Sequence, residues 1–276
     1  MIRADFVYIN GDFIYSVLRQ KIVIYNKKTL EKTREIFIKN VSKIFFDNSV
    51  DRLLLITTNG VVEILSLSTY ELIKQHKLVS ESAFHYYDLN SHLLFLTCLS
   101  FNNIKTYYYR ISVLGDEIES KIDSSLLLSM PYTSDDSSIQ FAYTKINDNE
   151  QNILFLEKYK KDKFELIETQ KIETSLSGLF NLHGHIFYNR EGIENLSNNS
   201  IIRFENLGID GPIIIAKRVG RFYFLSSYLN AYVLSDEFEI LYEFHSDNMG
   251  QAISDIAIDD TKIYLLKGAN IIVYNF

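Results

Sequence analysis

The opening of the chain repeats itself at a fixed spacing. Phe13-Ile14-Tyr15, Val23-Ile24 and Thr29-Leu30-Glu31 return as Leu53-Leu54-Leu55, Glu63-Ile64 and Thr69-Tyr70-Glu71, each displaced by 40 residues. A second gapless match joins the two ends of the chain. Val7-Tyr8-Ile9-Asn10, Ile14-Tyr15 and Val23-Ile24 reappear as Ile256-Ala257-Ile258-Asp259, Ile263-Tyr264 and Ile272-Val273, displaced by 249. Within the first unit the apolar runs cover residues 7–9, 13–18, 21–25 and 33–38, and within the second 44–46, 53–57, 61–65 and 72–77. Each run is short and rich in β-branched or aromatic residues, and polar turns such as Asn10-Gly11-Asp12 and Asn59-Gly60 separate them. That combination marks strands joined by hairpins.

A third unit follows with longer turns (83–87, 93–99, 105–111 and 118–122), then looser ones over 127–173, 176–204 and 213–244, and a last one from Ile253. A period near 40 with four strands per unit belongs to propeller blades, because helical repeats of that length carry a 3.6-residue apolar rhythm instead. The expected fold is therefore all-β: a single β-propeller domain over residues 1–276, about seven blades of mostly four antiparallel strands. The last unit stops at Tyr274-Asn275, where the turn into its fourth strand would begin. Either residues 1–6 supply that strand or the blade stays three-stranded. A split into two domains near Leu126 is the alternative, although no linker-like shift in composition marks it. Hydrophobic residues make up 47 % of the chain, with 19 Tyr and 19 Phe, enough for a packed core; with only 2 Pro and 11 Gly, turns must be built from Asn, Asp, Ser and Lys.

The stretch Val23-Ile24-Tyr25-Asn26-Lys27-Lys28-Thr29-Leu30-Glu31 resembles the WD-repeat type of propeller, in which an apolar strand ends in Trp-Asp before a polar turn. Tyr25-Asn26 and Tyr274-Asn275 stand in that place. Leu65-Ser66 departs from it, the chain has no Trp, and the Gly-His pair that opens such repeats is missing. The resemblance implies the fold and, by analogy, a non-catalytic scaffold.

Motifs for chemistry are scarce. There is no G-x-G-x-x-G, no G-x-x-x-x-G-K-[ST] and no G-x-S-x-G. The single cysteine, Cys98, lies in the apolar run 93–99 and is expected to pack as a small hydrophobe. The histidines (His76, His85, His92, His183, His185 and His245) are scattered apart from His183-Gly184-His185, which lacks a third ligand nearby, so no metal is expected. Asp135, Asp136, Asp148, Glu150, Asp259 and Asp260 fall in turns and are taken as turn formers, with no catalytic residue and no cofactor assigned. Lys158, Lys160, Lys161 and Lys163 are read as solvated lysines of a loop. Tyr86-Tyr87 and Tyr107-Tyr108-Tyr109 place rings on both faces of their strands, most of them in the core between sheets.

A formal net charge of −7 repels nucleic acid and anionic membranes, and no stretch approaches about 18 uncharged apolar residues. The expectation is a cytoplasmic monomer whose partner is a protein, with neither nucleic acid nor membrane among its partners. In a propeller the loops from the fourth strand to the next first strand share one end with the second-to-third turns. Candidate partner-binding residues there are Glu81, Phe101, Glu173, Arg190, Asp210, Tyr228 and Asp247. The acidic lean of that face points to a basic partner surface. Two other functions stay open: an immunity protein neutralising a basic toxin, and an enzyme or small-ligand sensor using the central channel.

Overall fold

The computed structural model of the protein describes all residues except 1, 125–128, 147–151, 175–178, 183–184, 189, 196–199, 228 and 276; at residues 132–135, 144–146, 152, 172–174, 179–182 and 186–188 only the backbone is described. Among the described residues the strands form seven antiparallel sheets of four. Strand β1 (Ile2–Arg3) belongs to the last of them. Sheet 1 is β2 (Phe6–Asn10), β3 (Phe13–Leu18), β4 (Lys21–Asn26) and β5 (Lys32–Ile36). Sheet 2 is β6 (Val41–Asp47), β7 (Arg52–Thr57), β8 (Val61–Ser66) and β9 (Leu72–Lys77). Sheet 3 is β10 (Ser82–Asp88), β11 (Leu93–Ser100), β12 (Lys105–Ser112) and β13 (Ile118–Asp123). Sheet 4 is β14 (Met130–Asp135), β15 (Ser138–Ile146), β16 (Asn152–Lys160) and β17 (Leu166–Thr174). Sheet 5 is β18 (Leu179–Leu182), β19 (His185–Tyr188), β20 (Gly192–Asn195) and β21 (Ser200–Arg203), followed by the one-turn helix α1 (Phe204–Leu207). Sheet 6 is β22 (Ile215–Val219), β23 (Phe222–Ser226), β24 (Asn230–Leu234) and β25 (Ile240–His245). Sheet 7 is β26 (Ile253–Ile258), β27 (Lys262–Lys267) and β28 (Asn270–Asn275), with β1 outermost. The four strands of each sheet are termed a to d in that spatial order.

The sequence pattern explains the order within a sheet. Middle strands are buried on both faces and read as continuous apolar runs, as in Leu53-Leu54-Leu55-Ile56 and Leu93-Leu94-Phe95-Leu96. Outer strands alternate: in β13 and β25 every second side chain is exposed. Within each compact unit, apolar layers fill the space between consecutive sheets. Ile56, Val62 and Ile64 of sheet 2 meet Leu96, Cys98, Tyr107 and Tyr109 of sheet 3, while Tyr108, on the opposite face of β12, packs its ring 5.0 Å from Phe141 of sheet 4.

The 40-residue repeat is a repeat of conformation. In the turn after the c strand, the Asn26 N–H donates to Glu31 O (2.9 Å) and the Leu30 N–H to Asn26 O (2.8 Å); the Ser66 and Tyr70 N–H groups do the same to Glu71 O (2.9 Å) and Ser66 O (2.8 Å). Leu30 (φ 59°) and Tyr70 (φ 64°) both take the left-handed conformation that completes the turn. Where Asn26 caps the first turn through its amide oxygen, accepting from Lys28 N (2.9 Å) and Thr29 N (3.1 Å), the second splits the task. There the Ser66 hydroxyl takes Thr69 N (3.1 Å) and the Asp51 carboxylate takes Ser68 N (2.8 Å). Leu65-Ser66 therefore departs from the Tyr-Asn pattern without changing the turn.

The last sheet is completed by the chain's beginning. β1 pairs antiparallel with β28 (Ile2 with Ile271, Arg3 with Asn270), and the Ala4 N–H donates to Ala269 O at 3.0 Å. Of the two expectations for this sheet, the four-stranded one holds. By its internal contacts the chain divides into two compact units, Met1–Val41 with Gly178–Leu182 and Ile186–Phe276, and Ser42–Ser177 with His183–His185. The alternative boundary near Leu126 falls outside the described residues.

Candidate partner-binding loop face

The d strand of a sheet leaves by hanging its chain on the b-to-c turn of the same sheet. The N–H of Asn40 donates to Arg19 O (2.7 Å), Leu78 to Gly60 O (2.7 Å), Phe204 to Glu191 O (3.1 Å), Ser246 to Leu229 O (2.8 Å), and Ala4, after β1, to Ala269 O (3.0 Å). This bond sets the d-to-a loops beside the b-to-c turns. At Gly60 (φ 74°) the approach is so close that a Cβ would stand 2.5 Å from Ser80 O, so the position needs glycine.

In the second unit this end carries exposed apolar side chains: Val79 (56 % exposed) in the loop after β9, and Phe101 (72 %) and Ile104 (60 %) in the turn between β11 and β12. Two stacked rings anchor the loops that carry them. The Val79 N–H donates to the Tyr109 hydroxyl (3.3 Å), Tyr109 stacks on Tyr107 (6.4 Å), and the Asn103 amide donates to the Tyr107 hydroxyl (3.2 Å). Ile104 holds φ 53°, a conformation costly for a β-branched residue. Glu81, exposed, flanks this group at the entrance to β10. In the first unit the same support recurs at the Asp210 N–H, which donates to the Tyr232 hydroxyl at 3.1 Å. Asp210, Asp247 and Arg190 are exposed there, together with Arg19, Lys39, Phe37 and Met249.

Seven residues were expected on this face. Glu81 and Phe101 stand at one end of the second unit, and Arg190, Asp210 and Asp247 in the corresponding loops of the first. Glu173 is not in a loop: its backbone lies within β17, paired with Ile153, because that strand runs further than its apolar residues suggest. Tyr228 lies outside the described residues, as do Asp148, Glu150 and the Glu173 side chain. Within the first unit the described charges on this face are of both signs. Val79 and Ile104 were missed, since a single apolar residue in a polar turn carries no periodic signal; the left-handed backbone of Ile104 is invisible in the sequence.

The remaining chemical groups act in the fold. Cys98 is fully buried, and burial pushes its thiol up to about 12. Asp255, at a bulge in β26, accepts the Val7 N–H (2.8 Å) and pairs with Lys217, so its carboxylate joins the a strands of sheets 6, 7 and 1. Asp47 and Asp88 are the last residues of their a strands and Asp259 directly follows its own, and each accepts the N–H two residues on: Asp47 from Ser49 (3.1 Å), Asp88 from Asn90 (3.3 Å) and Asp259 from Thr261 (2.8 Å). Their other oxygens hold an adjoining sheet. Asp88 pairs with Lys161 (2.8 Å) and Asp259 with Lys27 (3.2 Å), both lysines standing in the turn after a c strand. Lys161 is thus buried, not one of the solvated lysines expected of a loop, and Lys158 and Lys160 belong to β16. Among the described residues there is no group of three or more His, Cys, Asp or Glu side chains placed to hold a metal, and no helix long and apolar enough to cross a membrane.

No protein-family model and no curated protein matches the sequence. Solved structures do. The β-propeller domain of Cps50 (Swd1) from Myceliophteria thermophila matches with a TM-score of 0.68 at 13 % identity, over 99 % of this chain and 97 % of that one. The computationally designed Ika8 protein matches at 0.64 and 7 % identity (99 % and 96 % covered), and BamB from Moraxella catarrhalis at 0.56 and 10 % (98 % and 84 %). The likeness shows the fold: the seven sheets are blades of a divergent β-propeller.

Proposed function

We propose that this propeller is a non-catalytic interaction module, a single domain and a monomer in the cytoplasm, that binds a partner protein through the loop end of its sheets. The observation that carries the reading is the group Val79, Phe101 and Ile104, apolar and exposed at one end of the second unit, with Ile104 held in a strained conformation. Exposed apolar clusters on a rigid support mark recognition surfaces, and backbone strain persists where a function retains it. Glu81, Asp210 and Asp247, exposed in loops of the same kind, and the net charge of −7 support a partner with a Lys- and Arg-rich surface.

Affinity capture from the native cell, with captured proteins identified by mass spectrometry, tests the reading against two variants. Phe101→Ala should weaken the captured complex about tenfold or more, as loss of an aromatic anchor does. Ile104→Gly should weaken it too while leaving the melting temperature unchanged or higher, because glycine accepts the left-handed backbone. Capture indifferent to both variants rejects this face.

A further inference from the structure

The outer strands of the sheets are free edges, and most of them are blunted. In sheets 1, 2, 4 and 6 the d strand carries one residue more than its c-strand partner: the register skips Thr33 in β5, Ile73 in β9, Ile167 in β17 and Leu241 in β25. Such bulges bend an edge and break its ladder, which hinders another strand from adding to it. β21 and β1 are short, with four and two residues. β13 has neither protection. Its six residues pair one for one with β12, from Ile118 with Ile111 to Asp123 with Thr106, and among the described residues no strand lies on its other side. It also exposes two isoleucines, Ile118 (42 %) and Ile122 (58 %).

The direction of its backbone groups follows from one bond. The Ser112 N–H donates to Glu117 O (2.9 Å), so in this antiparallel ladder Glu119, Lys121 and Asp123 also turn their N–H and C=O groups toward β12, and Ile118, Ser120 and Ile122 turn theirs outward. The side chains divide on the same period: Ile118 and Ile122 lie on the face of Ile111 and Tyr107, Glu119 and Lys121 on the face of Arg110 and Tyr108. Laid antiparallel on itself about Ser120, the run Ile118-Glu119-Ser120-Lys121-Ile122 is complementary throughout. Ile118 meets Ile122, Glu119 meets Lys121, and Ser120 meets its own copy. The outward backbone groups fall on the hydrogen-bonded positions, and the opposite charges on the intervening ones, where side chains across a ladder stand closest.

We propose that β13 is a self-association edge whose occupant is β13 of a second copy of this chain, antiparallel and centred on Ser120 in a twofold-symmetric pair. The outward N–H and C=O groups of Ile118, Ser120 and Ile122 join the two copies of sheet 3 into one ladder, and the Glu119 and Lys121 pairs, formed twice by symmetry, fix its register. Past these five residues Glu117 meets Asp123, a like-charge pair that ends the match. So short an interface is weak. The monomer proposed above is the dilute form, and the pair is populated as concentration rises. The edge is separate from the loop face and does not depend on it.

Sedimentation velocity of the intact protein, from micromolar to near-millimolar concentration, should show a shift from one copy to two. Over the same range, hydrogen exchange followed by mass spectrometry should show the amides of 118–122 slowing about tenfold or more, while those of the bulged β9 do not change. Glu119→Lys sets lysine against lysine and Lys121→Glu sets glutamate against glutamate, so either variant alone should pair about tenfold or more weakly. Mixed in equal amounts the two variants should pair again, because each then meets the opposite charge at both positions. Ser120→Pro removes an outward N–H that sheet 3 itself does not use, and should abolish pairing with little change in melting temperature. A protein that stays a single copy over the whole range overturns the proposal, as does pairing that survives Ser120→Pro or that mixing fails to restore. If a charge variant does not fold, Ser120→Pro and the exchange of the unaltered protein decide. Phe101→Ala should pair as the unaltered protein does, so failure here leaves the loop-face reading standing and the reverse.

Discussion

Asp88 and Asp259 occupy the same place in sheets 3 and 7, and each takes the ammonium of a lysine from the turn after another sheet's c strand. The turns match in detail: the Lys161 N–H donates to Ser137 O (3.0 Å) and the Lys27 N–H to Asp12 O (2.8 Å). Their surroundings differ. The side chains of Asp88 and Lys161 are 5 % and 4 % exposed, whereas those of Asp259 and Lys27 are 12 % and 23 %. A carboxylate in contact with water keeps part of its hydration when its partner leaves; one sealed from water does not. One sequence device is therefore a structural cross-link in one sheet and a minor adjustment in another. Sheet 2 offers a third version. The position matching the lysine is Val113 in sheet 3, and Asp47 instead accepts the Tyr87 hydroxyl (2.5 Å) and meets His92 Nδ1 (2.7 Å).

The largest effect should come from breaking the sealed pair. Asp88→Ala leaves a buried ammonium unpaired and should lower unfolding stability by about 3–5 kcal/mol, measured by urea denaturation. The double variant Asp88→Leu with Lys161→Met, which removes both charges and keeps apolar volume, should recover most of that loss. If Asp88→Ala and Asp259→Ala cost the same, burial is not what separates the two pairs.

Acid should act first near the third version. His85, on the same strand as Tyr87 and with its ring 6.0 Å from Phe45, has neither ring nitrogen in contact with solvent or, among the described residues, with a hydrogen-bond partner. Burial, with the Lys43 ammonium second, depresses it to about 3. A histidine depressed in the folded state binds its proton more readily when unfolded. Its contribution is complete above the ordinary value of about 6.5 and shrinks as pH falls toward the folded value. Between about pH 6.5 and 5 the loss should reach at most about 2 kcal/mol, at about 1.4 kcal/mol per pH unit. His85→Phe should flatten that part of a stability–pH curve. The carboxylates follow lower down. For Asp47, burial pushes the carboxyl up, but Ser49, Tyr87 and His92 outweigh it and hold it below the usual range, so this contribution is present above about pH 4 and lost beneath it.

Tyr87→Phe comes next. Burial and the Asp47 carboxylate keep the hydroxyl protonated, so it is always the donor in that bond. Removing a hydrogen bond to a charged acceptor should cost about 1.5 kcal/mol at pH 7, and urea melts should show that cost shrinking only as pH falls far enough below about 4 to protonate Asp47.

Much of this architecture was legible because a strand's burial is written in its period. Continuous runs such as 93–99 became middle strands, alternating ones such as 118–122 became outer strands, and the 40-residue spacing fixed their order. The pairing of the two chain ends was legible as a deficit, a last unit lacking its fourth strand. Lys161 was not legible, because four lysines close together in sequence look solvated unless the carboxylate at Asp88, distant in the chain, is known to face one of them. The same holds for the loop face. Phe101 stood out as an aromatic in a turn, whereas Val79 is tied in through the Tyr109 hydroxyl and Ile104 follows Asn103, which bonds the Tyr107 hydroxyl, and Glu173 was misplaced because its strand ends in polar residues. Side-chain convergence from separate turns leaves no periodic trace, so the fold was read more fully than the site.

The smallest effect belongs to the solvent-touched pair. Lys27→Met keeps the aliphatic stem that packs beside the turn and removes only the ammonium, leaving Asp259 with the N–H groups of Thr261 and Lys262, both at 2.8 Å. Burial pushes the Asp259 carboxyl up, but these N–H groups and Lys27 outweigh it and hold it below its ordinary value. The carboxylate is therefore still satisfied in the variant, and the loss should be about 0.5–1 kcal/mol at pH 7, as for a partly exposed pair. The sign follows from the lowered value: the loss should be present above about pH 4 and fade as Asp259 takes up its proton. Molar salt should also reduce it, since this pair is within reach of counterions. A loss above about 3 kcal/mol that ignores salt would mean that Lys27 is as sealed as Lys161, and would remove the distinction between the two pairs.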